Sequence, residues 1–169
     1  MKAQLQKDFL CLIEEHKSLL LKICHIYGKD EGEKQDLFQE IVIQLWKSFD
    51  TFRGDSKITT WMYRIALNTA LTDLRKRKSK ITISYREDLP NEIKEEKYDH
   101  SKEEKLAMLY EAIKKLTEIE KAIITLYLEE KTYEEMEEVL GISQGTLRVK
   151  VNRIKEKLRQ FTKGKEYGT

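Results

Sequence analysis

Thr132-Tyr133-Glu134-Glu135-Met136-Glu137-Glu138-Val139-Leu140-Gly141-Ile142-Ser143-Gln144-Gly145-Thr146-Leu147-Arg148-Val149-Lys150-Val151-Asn152-Arg153 reads as two short helices joined by a tight turn. The first opens on a capping box, in which the Thr132 hydroxyl accepts from the Glu135 amide and the Glu135 carboxylate reaches back. It carries Met136, Val139 and Leu140 inward and breaks at Gly141. Ser143 is placed to cap the second helix, and loss of either cap is expected to cost about 1 kcal/mol. The inner stripe of that helix is Leu147, Val151, Ile154 and Leu158. Two helices joined by a short glycine-containing turn are a helix-turn-helix signature.

The inner stripe fixes what faces out. With Leu147, Val151 and Ile154 in the core, the spacing turns Val149, Asn152, Arg153 and Glu156 to solvent, flanked by Arg148 and Lys150. Asn and Arg suit adenine and guanine edges in the major groove, and flanking cations suit phosphates. Gln144, Gly145 and Thr146 open the helix, where free amides favour an anion. The plainer alternative is an amphipathic hairpin with solvated lysines.

Helical periodicity runs through most of the remaining chain. Phe9, Leu12, Ile13, His16 and Leu20 form one stripe; Leu37, Phe38, Ile41, Val42, Leu45, Phe49 and Phe52 form a second, ending at Arg53-Gly54-Asp55-Ser56. A third helix is expected from about Thr59 or Thr60 through Trp61, Ile65, Leu67, Leu71 and Leu74 into the basic run Arg75 to Lys80. Residues 81–105 then hold the single proline, many charges and few apolar side chains, which predicts a mobile acidic linker. Periodicity returns at Leu106, Leu109, Tyr110, Ile113 and Leu116. The expectation is an all-α chain of two helical domains, 1–80 and 106–162, joined by that flexible linker and followed by a tail at 163–169.

The 169 residues are 37% charged with a net charge of only +2, so segregated charge rather than a global field would bring a polyanion to the surface. Cys11 and Cys24 have no paired spacing and sit among apolar residues, predicting buried thiols in a reducing compartment. The start of the chain is too polar for a signal peptide. No apolar run approaches about 18 residues, so no membrane insertion is expected. A cytoplasmic protein follows.

The segment Asp36-Leu37-Phe38-Gln39-Glu40-Ile41 to Trp46-Lys47-Ser48-Phe49-Asp50-Thr51-Phe52, followed by Arg53 to Asn68, closely resembles region 2 of bacterial sigma factors. The helix-turn-helix stretch resembles their region 4. Both motifs, in this order and with no domain between them, are similar to the extracytoplasmic-function (ECF) subgroup. On the residues alone, Asp36, Gln39 and Glu40 share an exposed helical side that suits a basic partner helix or is simply solvated. Trp46 and Trp61 alone read as core.

The resemblance implies that Asp36, Gln39 and Glu40 bind the β′ subunit of core RNA polymerase, which contributes its β subunit as a further partner. It implies that Lys57, Thr60, Trp61, Arg64, Asn68, Arg75, Lys76 and Arg77 belong to the element that recognises the −10 promoter box. There the family captures a base flipped from the melted non-template strand, and Asn68 stands in the Arg-Ile-Ala-x-Asn pattern that makes it the foremost candidate. Unstacked bases need aromatic or apolar walls and a positive groove. The −35 duplex would be read by Gln144, Thr146, Arg148, Val149, Lys150, Asn152 and Arg153. The resemblance further implies an anti-sigma partner and a linker that threads toward the RNA exit path. Glu137 departs from the family's usual small residue and has to point outward or spread the two helices slightly; Val149 stands where the family often has a hydroxyl or small polar residue and Asn152 occupies a variable position, so the −35 sequence is not inherited from the resemblance.

No P-loop, Rossmann pattern or nucleophile triad is present, so no enzyme is expected and no cofactor is implied. His16, His25, His100 and the two cysteines fit no zinc spacing, so no metal site is expected. Two rivals compete with the sigma reading: a stand-alone homodimeric helix-turn-helix regulator, which leaves Asp36 to Asn68 unexplained, and a helical adaptor that binds only proteins.

Overall fold

The computed structural model describes residues 1–81 and 102–166. The predicted flexibility of the linker falls almost wholly on residues outside that description, as does the end of the tail. Among the described residues there are eight α-helices and no strand: α1 (Lys2–Glu15), α2 (Lys17–Tyr27), α3 (Glu31–Phe49), α4 (Ile58–Ile81), α5 (Lys102–Lys114), α6 (Glu118–Leu128), α7 (Tyr133–Leu140) and α8 (Gln144–Glu166).

The first four helices form one unit. α3 and α4 pack along each other, with α2 across both. Leu37, Ile41 and Leu45 repeat at spacings of four and bury completely or nearly so. Opposite them Met62, Ala66, Leu67 and Ala70 line α4, and the two alanines let the α4 backbone approach closely. α3 starts because Asp30 accepts from the Glu33 amide at 2.8 Å, while Glu33 accepts from the Lys29 amide at 2.9 Å.

The first apolar stripe is not one helix. It divides at His16, whose φ of −109° and ψ of 18° leave the helical region and turn α1 away from α2. No glycine or proline marks the break. Cys24 is buried, and burial pushes its thiol up to about 11. Cys11 corrects the expectation of two buried thiols: it lies on the solvent side of α1 although Leu10 and Leu12 flank it in sequence.

α5 to α8 form the second unit. α6 is buried on nearly every side, with Ala122, Ile123, Ile124 and Leu126 almost fully enclosed. A helix apolar all round belongs at a centre rather than a surface. Glu120 reaches back to the Thr117 amide at 3.0 Å, a second capping box. The expected box at Thr132 is present, with the Glu135 amide donating to the Thr132 hydroxyl at 3.1 Å and Glu135 accepting from the Thr132 amide at 2.9 Å. Gly141 then adopts φ +68°, the left-handed cap that ends α7. Ser143 accepts from the Thr146 amide at 3.4 Å and opens α8.

The units are docked, with α7 against α4 and α5 against α2. Along the seam the Tyr27 hydroxyl donates to the Glu118 carbonyl at 3.0 Å. Lys131 donates to the Thr59 hydroxyl at 2.8 Å and sits over the Tyr63 ring. His25 meets Tyr110 edge to face at 4.9 Å between centroids.

Candidate nucleic-acid and polymerase interface

Leu147, Val151, Ile154 and Leu158 are all buried, so the inner stripe of α8 is the one its spacing predicts. Arg148, Val149, Asn152, Arg153 and Glu156 are exposed on the opposite side. Thr146 is exposed and receives the Ser143 hydroxyl at 2.9 Å, while Gln144 and Lys150 are half-buried. Glu137 points to solvent, so its size does not separate α7 from α8. Arg148 does not float free. Its guanidinium stacks over the Tyr133 ring at 5.1 Å, bridging the two helices of the motif. That partnership is invisible in the sequence, because Tyr133 carries no signal beyond its place in the first turn of α7.

On the first unit, Asp36, Gln39 and Glu40 are all exposed along α3. Glu40 accepts from Gln44 at 2.7 Å, and neither Asp36 nor Gln39 contributes to the core. Between α3 and α4 lies an open polar groove, lined on one side by Asp36, Glu40 and Gln44 and on the other by Asn68, Thr72 and Lys76. The fold thus brings the two motif halves to opposite walls of one groove. Arg64 and Arg75 are also exposed on α4.

The remaining residues of this group have different surroundings. Trp61 is half-buried, its ring 5.0 Å from Phe52 and 6.5 Å from Phe49. Phe49 continues to Phe9 at 5.3 Å and Phe9 to Trp46 at 5.0 Å, so an aromatic ladder supports the loop before α4. Trp46 is 42% exposed, which corrects its reading as core. Arg77 is engaged by Glu33 and, at 2.8 Å, by Asp73, tying the end of α4 to the start of α3. Burial would raise the Glu33 carboxyl, but the Lys29 amide and Arg77 outweigh it and hold Glu33 below the usual carboxylate range. Lys57 pairs with Glu135 of α7 at 3.0 Å, and Thr60 is only 2% exposed, its hydroxyl 3.5 Å from the same carboxylate.

Among the described residues no cluster of histidine, cysteine and carboxylates could hold a metal, and no helix is long and apolar enough to cross a membrane.

Comparison with known proteins follows the same division. The family description "Sigma-70 region 2" matches residues 12–80 and "Sigma-70, region 4" matches residues 106–158. RNA polymerase sigma factor SigV of Bacillus subtilis is 31% identical over 153 residues, covering 89% of each chain. RNA polymerase sigma-H factor of Pseudomonas aeruginosa is 31% identical over 160 residues, covering 88% of this chain and 82% of its own. The ECF RNA polymerase sigma-E factor of Escherichia coli is 30% identical, covering 89% of this chain and 84% of its own. Among solved structures, the sigma factor RpoE in complex with the anti-sigma factor NepR from Bartonella quintana has the same fold, with a TM-score of 0.75 at 22% identity over 93% of this chain and 98% of its own. CnrH in complex with the cytosolic domain of CnrY gives a TM-score of 0.68 at 21% identity, covering 96% of this chain and 94% of its own. A region 2 bundle and a region 4 helix-turn-helix, matched in order along one chain, place this protein in the sigma-70 family of RNA polymerase sigma factors, in its ECF subgroup.

Proposed function

We propose that this chain directs core RNA polymerase to promoters by three surfaces. Asp36, Gln39 and Glu40 on α3 bind the polymerase β′ subunit. Lys57, Thr60, Trp61, Arg64, Asn68, Arg75 and Lys76 engage the −10 element and its melted non-template strand. Arg148, Val149, Lys150, Asn152 and Arg153, with Gln144 and Thr146 at the start of α8, read the −35 duplex. The observation that carries this reading is the groove in which Asp36 and Glu40 face Asn68 and Lys76. A partner helix seated on α3 is thereby held beside the strand that α4 captures.

The chain acts as an initiation factor in the cytoplasm and is not itself a catalyst. Strand separation is driven by binding energy for unstacked bases, supplied by stacking and by cations along the backbone. Region 4 contributes duplex binding through an exposed helix of the usual major-groove form. Arg77 contributes by holding α4 to α3 rather than by direct contact, since Glu33 and Asp73 already occupy its guanidinium. An anti-sigma protein is the expected regulator.

The decisive experiment is capture of core RNA polymerase by the purified chain, followed by run-off transcription on a genomic promoter library. Saturable capture with new, specific start sites is the expected result. Tight duplex binding without polymerase capture would replace this reading with the homodimeric regulator.

A further inference from the structure

We propose that Val149 reads the 5-methyl group of a thymine in the major groove, so that the −35 element of this sigma factor carries a T·A pair at the position opposite it. The inference rests on the functional reading above and deepens it, naming one base contact of the surface on α8.

Val149 has no structural work to do where it stands. It is 50% exposed on the polar side of α8, with Thr146 one turn before it and Asn152 and Arg153 one turn after. The core beneath α8 is filled by Leu147, Val151, Ile154 and Leu158, and Val149 adds nothing to it. A β-branched side chain also suits an exposed helical position poorly, because its χ1 freedom is lost against the preceding turn. Among the described residues of α8, no other large apolar side chain is exposed to this degree.

The methyl groups of Val149 are also uncovered. A side chain on a helix leans toward the N-terminus, over the residues three and four before it. Four residues before Val149 stands Gly145, with open space where a Cβ would be. Three residues before it, the Thr146 hydroxyl is engaged by Ser143, which donates to it at 2.9 Å. Arg148 is turned to Tyr133, its guanidinium 5.1 Å from the ring centroid. A stiff apolar knob is therefore left near the start of α8, on a surface otherwise made of amide, hydroxyl and guanidinium groups.

In a helix-turn-helix the first residues of the second helix meet the base edges. Those edges carry hydrogen-bonding groups in the major groove, and the thymine methyl is the apolar exception. Valine neither donates nor accepts. Against the cytosine amino group or the guanine oxygen it would strip water from a polar atom and replace no bond. Against the thymine methyl it buries apolar surface on both partners. The stiffness of valine then helps, since little rotamer freedom remains to be lost on binding.

The test begins with selection of −35 duplexes from a randomised library of unmodified nucleotides, in which thymine is the one source of a 5-methyl group. Selection uses the full chain bound to core polymerase and, separately, the full chain alone. Each thymine of the selected duplex is then replaced by uracil, which removes the methyl and keeps the hydrogen-bonding edge. At one thymine the replacement is expected to weaken binding of the parent about four-fold, as loss of one buried methyl group should. Val149→Ala is expected to bind the thymine duplex at least as weakly as the parent binds the uracil duplex, and to lose the discrimination at that position. The slope of log affinity against log salt stays the same, because no phosphate contact is removed. A urea midpoint no lower than that of the parent checks that the fold is intact.

Uracil without effect at every thymine, a selected element that lacks thymine, or discrimination that survives in Val149→Ala overturns the methyl contact. Failure to capture core polymerase overturns the sigma reading instead, and the duplex selected by the chain alone still decides the contact. Failure of both forms to select any duplex overturns both.

Discussion

Arg148 illustrates what a single contact adds to a recognition helix. A guanidinium on an aromatic face gains about 0.5–1 kcal/mol at an exposed site and loses freedom it would otherwise surrender on binding. On the proposed reading, the stack with Tyr133 therefore prepares Arg148 for DNA. Tyr133→Phe is expected to leave −35 duplex affinity within two-fold, whereas Tyr133→Leu is expected to weaken it by roughly 1 kcal/mol. In an Arg148→Ala background the Leu substitution loses its effect, as duplex titrations will show. Equal effects in both backgrounds would reduce Tyr133 to a packing residue. On α3, Asp36→Ala with Glu40→Ala removes two exposed carboxylates that anchor nothing inside the fold. The pair is expected to lower polymerase capture at least ten-fold while leaving the urea midpoint unchanged, and a shifted midpoint would reveal a structural role. At this scale the outward positions on α8 were legible, because a helical period fixes both faces at once. Lys57 and Thr60 were not legible as paired or buried groups, nor was the tie of Arg77 to α3, since Glu135 and Glu33 are remote from them in sequence.

The elements begin and end where short-range chemistry says they do. Thr132 and Glu135 satisfy each other's backbone donors. Thr132→Ala is expected to cost about 1 kcal/mol, read from denaturant unfolding. Gly141 sits at φ +68° with open space where a Cβ would stand. Gly141→Ala therefore costs backbone strain rather than a clash, roughly 1–2 kcal/mol on the same measurement. Ile41, fully buried on α3, makes the contrasting case: Ile41→Ala is expected to cost about 2–5 kcal/mol through the cavity left behind. Capping boxes and a left-handed glycine are readable from sequence because their partners lie within one turn. The division of α1 from α2 at His16 is not, because no breaker residue marks it, while the contacts of Phe9 with Trp46 and Phe49 that hold α1 on α3 join residues far apart in sequence. Cys11 fails to read for the same reason: neighbours in sequence do not say which side of a helix meets the core.

For the molecule as a whole, two helical units followed from patterning and their order as region 2 then region 4 from the resemblance, while their docking did not, because the seam joins residues far apart in sequence. His25 gives that seam a dependence on acidity. Burial lowers its pKa, Lys34 and Lys114 lower it further, and Glu111 and Glu31 oppose them, with Tyr110 edge-on across the seam. Folding thus favours neutral imidazole. The stability it contributes is complete above the unfolded value near 6.5 and is lost as pH falls through the lowered folded value. Urea midpoints of the parent are expected to fall between about pH 7 and about pH 5 more steeply than those of His25→Phe, which keeps a ring but cannot titrate. Parallel curves would exclude the group. The three lysine–glutamate pairs of the seam, Lys22 with Glu129, Lys57 with Glu135 and Lys78 with Glu118, also bear on inheritance. A hybrid gene that joins α5 to α8 of this chain to the first half of another sigma factor would acquire the promoter preference of α8 at once. It would keep the same docking only if the new first half also carried lysines opposite Glu118, Glu129 and Glu135. On the proposed reading promoter choice travels with one half of the gene, whereas docking belongs to the match between halves.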